Sequence, residues 1–180
     1  MQRRIFIGID LPQKVKKRLY QRIEKWQEIP VKWSREENFH ITLSFLGYLY
    51  DDVIFDVCHK VKKTSSNFDS FDINLEQIKL GPSLENPNMV WLTGVASENL
   101  KKLQENLEKE LGIFQSEKKV FRPHITLGRI RKTKWEALPE KPEINEKFSV
   151  SIPVESVQVI ESLYEDGKRK YIVLENCPLA

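Results

Sequence analysis

Two short stretches carry side chains suited to proton transfer. His40-Ile41-Thr42-Leu43 returns unchanged as His124-Ile125-Thr126-Leu127, each copy inside an apolar run. Side chains alternate between the faces of a strand, so each copy sets His and Thr on one face and Ile and Leu on the other. Two such strands facing one cleft would bring together two imidazoles and two hydroxyls. An imidazole with an ordinary pKa near about 6.5 can take a proton, and a second one, held protonated by a nearby anion, can give one. Threonine hydroxyls one strand step away can hold the non-bridging oxygens of a phosphate.

A four-residue identity is weak by itself, arising by chance in about one chain in ten of this length. The composition sharpens it. The chain has only three histidines, and for two of them to share their next three residues is roughly a one-in-a-thousand coincidence. An isolated histidine on an apolar strand is more often structural than catalytic. A core role, however, would not call for the same His-Thr pair on the polar face of two corresponding strands. The third histidine, His59, falls in a helical pattern with nothing spaced to pair with it, and a position on the helix surface is expected.

The net charge of +3 is too small to announce a nucleic-acid binder, but Lys118, Lys119, Arg122, Arg129, Arg131, Lys132 and Lys134 follow one another with no acidic residue between them. This cluster surrounds His124 and favours phosphate-bearing partners. A metallohydrolase would need clustered ligands; no H-x-H or H-E-x-x-H pattern occurs, and Cys58 and Cys177 lack metal-ligand spacing. The opening residues lack a signal-peptide apolar core, and no apolar run approaches the roughly 20 residues that span a bilayer. A soluble cytoplasmic protein with no membrane partner is expected, and a monomer.

The elements that must position the two motifs are legible in outline. Residues 3–10 read as a strand, and Leu11-Pro12 opens an amphipathic helix with Val15, Leu19, Ile23 and Trp26 on its apolar side. Residues 39–46 form the first motif strand, with Phe39, Ile41, Leu43 and Phe45 as its buried face. Asp51 is placed to cap a helix running to about residue 63, with Val53, Ile54, Val57 and Val61 buried. Residues 68–80 read as a long strand whose apolar phase slips near Glu76-Gln77, which predicts a bulge. The second half then repeats the order strand, helix, motif strand: residues 89–95, a helix over 97–111 with Ser97 as N-cap, and 121–130. One helical turn within 132–145, strands at 148–152 and 154–164, and a turn into a last strand at 169–174 complete the chain. The motifs start at positions 40 and 124, offset by close to half of the 180 residues, which predicts two similar, interlocked lobes related by a rough two-fold axis.

The paired H-x-T-x motifs, the opening RRIFIGIDLP and the H-x-T-x-x-R form of HITLGR resemble the 2H phosphoesterases. The likeness is greatest to the bacterial and archaeal RNA 2′,3′-cyclic phosphodiesterases once described as 2′-5′ RNA ligases. It is firm over residues 3–12, 31–47, 90–111 and 121–131 and loose in the loops and the C-terminal hairpin. The resemblance implies an α+β fold in one bilobal domain over residues 1–180, each lobe an antiparallel sheet with helices outside. It implies a cleft between the lobes, motif strands near 39–46 and 121–130, and hydrolysis without a metal or other cofactor. Carried over residue by residue, it assigns His40 and His124 as catalytic, and Thr42, Thr126 and Arg129 as phosphate-binding. Alternation puts Arg129 on the face opposite His124; either a bulge at Gly128 turns the chain, or Arg122, which shares the parity of His124, serves instead. Trp33, Phe45 and Tyr48 are candidates to stack a base, although alternation assigns Phe45 to the buried face.

The reaction expected from this resemblance is hydrolysis of an RNA or nucleotide 2′,3′-cyclic phosphate to a 2′-phosphomonoester. His124 is the expected base and His40 the expected acid, although the two motifs are symmetric in sequence. A related cyclic-phosphate phosphoesterase, a 2′-5′ joining activity, or an RNA-binding module whose His-Thr pairs only contact phosphate are the alternatives. Product chromatography separates the first two, and turnover with excess substrate separates all of them from a binder.

Overall fold

In a computed structural model of the chain, residues 1–113 and 120–180 are described. Lys118 and Lys119 of the basic cluster lie outside them. Strand β1 (Gln2–Asp10) leads through helix α1 (Gln13–Ile23) and the short β2 (Val31–Trp33) to β3 (His40–Tyr50), which carries the first motif. Helix α2 (Asp51–Ser65) and strand β4 (Phe71–Gly81) follow. Strand β5 (Met89–Thr93), helix α3 (Glu98–Glu110) and β6 (His124–Ile130) then repeat the opening order with the second motif. After the single turn α4 (Lys132–Glu136) come β7 (Asn145–Val154), β8 (Ser156–Glu165) and β9 (Lys168–Pro178).

Among the described residues these strands make one antiparallel sheet of nine, in the order β7-β4-β5-β6-β3-β1-β8-β9, with β2 on β6. Its centre is its thinnest point. β3 and β6 share a single registered pair, Ile41 with Ile125, so the two halves of the sheet meet inside the two motifs. Counting outward, β3, β1, β8 and β9 form one lobe, and β6, β5, β4 and β7 form the other. The chain does not divide between them at its midpoint. β4 crosses into the second lobe before that lobe's own motif is made, and β8 and β9 return to complete the first.

The helices cover one face. Apolar residues recur every three or four positions along them: Val15, Leu19 and Ile23 on α1, Ile54, Val57 and Val61 on α2, Leu100, Leu103 and Leu107 on α3. These belong to one continuous core with the strands of both lobes. Ser97 caps α3 as expected, its Oγ accepting from the Leu100 N–H at 3.3 Å. Two expectations for α2 fail. Val53 is exposed: it lies in the first turn at the edge of the narrow stripe Ile54, Val57, Val61, about 70° round the helix from its centre. Asp51 is not the cap but a first-turn residue, where its carboxylate forms a salt bridge with Arg3, Oδ1 to Nε 3.0 Å, and complements the helix dipole. Helix α1, which leaves a strand of the first lobe, and the turn after it are tied to the second lobe by Arg22 and Lys25 pairing with Glu146 on β7. No helix among the described residues is long and apolar enough to cross a membrane.

The phase slip expected in β4 is present: its register with β7 skips a residue between Leu75 and Gln77. Equivalent slips in the two motif strands have larger consequences for the open face.

Candidate active site

Each motif strand carries a bulge immediately after its His-x-Thr segment. On β3 the register with β1 passes from Gly8–Thr42 to Ile7–Ser44, skipping Leu43. On β6 the register with β5 passes from Trp91–Thr126 to Val90–Gly128, skipping Leu127. An extra residue reverses the alternation beyond it. Ser44 and Gly128 therefore turn inward and are buried, and Phe45 and Arg129 turn out to the face of the histidines. Phe45 is thus not a core residue, as simple alternation predicts. It is 66% exposed, with its ring 6.0 Å from that of Phe6. Arg129 joins the histidine face by the bulge at Leu127-Gly128, the first of the two ways left open by the sequence. Its charge acts on His124 across one wall and on Tyr171 across the other.

Ser34 secures the second bulge. Its Oγ donates to the Thr126 carbonyl at 3.1 Å and its N–H to the Leu127 carbonyl at 2.8 Å, occupying acceptors that the skipped register frees. Gly128 is required there: a Cβ on it would lie 2.5 Å from Val31 Cγ1 and 3.0 Å from Trp33 Cε3. Gly128→Ala should lower the unfolding free energy by about 1–3 kcal/mol, as overpacking does, and the urea midpoint reads that directly. Trp33 packs into this inner layer against the core and is withdrawn as a base-stacking candidate. Tyr48 faces the cleft opposite Arg4 and is exposed.

The two histidines are held in the same way. His40 Nδ1 lies 2.7 Å from the Asn38 carbonyl, and His124 Nδ1 lies 2.9 Å from the Arg122 carbonyl. A carbonyl only accepts, so each Nδ1 carries the proton and each Nε2 is left unprotonated in the neutral ring. His40 Nε2 accepts from the Thr42 hydroxyl at 2.8 Å. Among the described residues His124 Nε2 has no protein partner. The segment entering His124 is pinned by Thr93, whose Oγ1 donates to the Pro123 carbonyl at 3.1 Å. Continuing the antiparallel register from Ile41–Ile125 brings His40 towards Thr126 and Thr42 towards His124. The four motif side chains so form one cluster, and the charge of His124 acts on His40. His59, by contrast, is on the exposed side of α2, as expected.

Aromatic rings back both imidazoles. Phe6 and Tyr171 lie 4.9 Å from the His40 ring, Tyr171 edge-on at 84°. Trp91 lies 4.6 Å from the His124 ring. Spacing in the sequence singles out none of these three. Tyr171 comes from the last strand, whose place beside His40 depends on β8 pairing with β1 at the other end of the chain.

Burial holds both histidines below the ordinary imidazole value. For His40 the hydrogen bond to Asn38 and the charge of Asp10 oppose the shift, and Lys16 adds to it. For His124 the hydrogen bond to Arg122 opposes it, and the Arg129 and Arg122 charges add to it. A lowered folded pKa means that the unfolded chain binds more protons below about pH 6.5. This part of the stability is therefore full above that pH and declines as pH falls through the folded values. The loss in urea midpoint between about pH 7.5 and 5.5 should shrink in a His40→Gln, His124→Gln double variant.

Comparisons with known proteins identify the family and the fold. The family described as the 2′-5′ RNA ligase superfamily matches residues 13–165. The chain is 31% identical to the RNA 2′,3′-cyclic phosphodiesterase of Thermotoga maritima, over 97% of this chain and 94% of that one. It is 29% identical to the protein of the same name from Aquifex aeolicus, over 91% and 95%. In fold it is similar to the crystal structure of TT0787 of Thermus thermophilus, with a TM-score of 0.83, 23% identity and 97% of each chain covered. It is also similar to apo LigT of E. coli, with a TM-score of 0.78, 22% identity and 99% and 98% covered. With its fold matched across the whole chain and its sequence across most of it, this protein belongs to the 2′-5′ RNA ligase superfamily, the 2H phosphoesterases.

Proposed function

We propose that this chain hydrolyses the 2′,3′-cyclic phosphodiester at an RNA or nucleotide end to a 2′-phosphomonoester, with His40 and His124 as its general acid and base. The observation that carries the proposal is the shared tautomer. Both imidazoles are fixed through Nδ1 by a carbonyl two residues earlier, so both Nε2 atoms are the ones available to the cleft. The names of the relatives agree with this chemistry.

His124 is the base. Its Nε2 is unpartnered among the described residues and its cationic neighbours favour the neutral ring, so it takes a proton from water as the water oxygen attacks phosphorus. His40 is the acid. In the free protein burial holds it neutral, and the Asp10 carboxylate that would favour its charged form is offset by Lys16, with which it pairs; the anionic phosphate, once bound, supplies the charge that protonates it. As the phosphorus–O3′ bond breaks, His40 delivers its proton to O3′, and the 2′ ester oxygen keeps the phosphate. The Thr42 and Thr126 hydroxyls and the Arg129 guanidinium hold the non-bridging oxygens as charge redistributes. Phe45, turned outward by the bulge, is positioned to stack on the terminal base.

Incubation with 2′,3′-cyclic AMP in the presence of a chelator, followed by chromatography, tests the whole reading. It requires 2′-AMP as the product and multiple turnovers. Accumulation of 3′-AMP would reverse the assignment of the broken bond, and binding without turnover would leave an RNA-binding protein. The pH profile of kcat/KM should be bell-shaped, because one imidazole must be neutral and the other charged. Both free-enzyme values are lowered, so its maximum should fall below about pH 6.5.

A further inference from the structure

Lys32, Tyr164 and Arg169 converge at one end of the cleft from strands of both lobes. Lys32 on β2 stands in register opposite Arg129 of β6. Tyr164 and Arg169 are a registered pair on β8 and β9. Lys32 Nζ and Arg169 Cζ each lie 5.9 Å from the centroid of the Tyr164 ring, which is nevertheless 62% exposed. Arg169 is steadied by a bond from Nη1 to Ser162 Oγ at 2.6 Å. Glu165, on the same hairpin, is taken by Lys170, and among the described residues no salt bridge engages Lys32, Arg129 or Arg169. Two unneutralised cations beside an exposed ring suit a partner that brings both negative charge and a flat face.

The position of this cluster follows from contacts across the cleft: Lys32 reaches the Tyr164 ring, and Asn38 Nδ2, two residues before His40, donates to the Arg169 carbonyl at 3.1 Å, although strand register alone would carry Tyr164 towards Gln2 and Tyr50. On the first lobe, Ser162–Tyr171 is the registered pair next to Tyr164–Arg169 on the same face, and Tyr171 touches the His40 ring. Two residues further along a strand is a step of about 7 Å. On the second lobe, Arg129 lies beyond Thr126 on β6, with Lys32 beside it. Phe45 lies towards the opposite end, because β3 and β6 run antiparallel. The base of a nucleotide leaves the ribose at C1′ and the chain leaves it at the 5′ oxygen. With a cyclic phosphate between the histidines and the terminal base on Phe45, the 5′ phosphodiester leads away towards the cations.

We infer that Lys32, Tyr164 and Arg169 form a subsite for the nucleotide on the 5′ side of the cyclic-phosphate terminus, with the cations on the connecting phosphodiester and Tyr164 stacked on the preceding base. The substrate class is then an RNA strand of two or more nucleotides, taken without base reading by a ring and two charges. This rests on the cyclic phosphodiesterase reading above.

The test compares kcat/KM on 2′,3′-cyclic AMP with that on adenylyl-adenosine ending in a 2′,3′-cyclic phosphate. The wild type should prefer the dinucleotide by about 10-fold or more. Tyr164→Leu should lower the dinucleotide value by about 5- to 100-fold and change the mononucleotide value less than about twofold, while Tyr164→Phe, which keeps the ring, stays near wild type. Lys32→Gln should flatten the plot of log kcat/KM against log salt by about 0.7 for the dinucleotide alone. Equal losses on both substrates would make the cluster a latch between lobes and overturn the subsite, as would a wild type with no preference. If the wild type turns over neither substrate, the phosphodiesterase reading falls and the subsite with it.

Discussion

His124→Ala should lower kcat/KM on 2′,3′-cyclic AMP by about 10²- to 10⁴-fold, and His40→Ala by a comparable factor. The two losses should not multiply. Once the base is gone, attack by water limits the rate and protonation of the leaving oxygen no longer does, so the double variant should sit close to the worse single one. What survives is the contribution of the threonines, Arg129 and the bound geometry. Each alanine also removes a ring packed against Trp91 or against Phe6 and Tyr171. Circular dichroism and the urea midpoint must therefore accompany the kinetics. A near wild-type rate in either folded variant would remove paired-imidazole catalysis from consideration.

Arg129→Gln is expected to have the next largest effect, about 10²- to 10³-fold in kcat/KM, the scale of losing one donor to charge developing in a transition state. It also changes the acid–base balance, and this second readout separates it from a structural defect. The guanidinium charge lowers the His124 pKa. Its removal should raise that value and carry the ascending limb of the pH profile, which reports the neutral base, to higher pH. Arg129→Lys restores the charge without the planar fork, so it should return the limb towards wild type while recovering only part of the rate. An unmoved limb in Arg129→Gln would mean that this side chain does not face His124 in solution.

Period-two reasoning shows its strength and its weakness on the same strands. Up to Leu43 and Leu127 alternation assigns every side chain to its observed face; beyond them it fails for Phe45 and Arg129, because one inserted residue shifts the phase and leaves no trace in the apolar count. The available signal is the small residue following each leucine, Ser44 and Gly128, which a chain turning inward against β1 or β2 can accommodate. A glycine in a strand announces a bulge more plainly than a serine does, which is why the sequence leaves Arg129 open but assigns Phe45 to the core. The repeated order of strand, helix and motif strand is equally legible, since it is local. The partners of β4, β8 and β9 are not, because they depend on which sheet edges remain free. Tyr171 beside His40 and the Lys32–Tyr164–Arg169 cluster both follow from that long-range pairing.

Of the nine strands, the one that ends up inside the first lobe comes earliest in the sequence. β1 receives β3 early, but its other edge waits for β8, so that Ile7 meets Val159 only after the intervening 151 residues exist. Until then an apolar strand has a bare hydrogen-bonding edge, the feature most prone to pair with another molecule. Such distant pairings close large loops and slow the folding of a chain. A nascent chain stopped before residue 156 should consequently hold its first lobe open. Shortening the protein from its C-terminal end should produce aggregation before it produces a smaller enzyme.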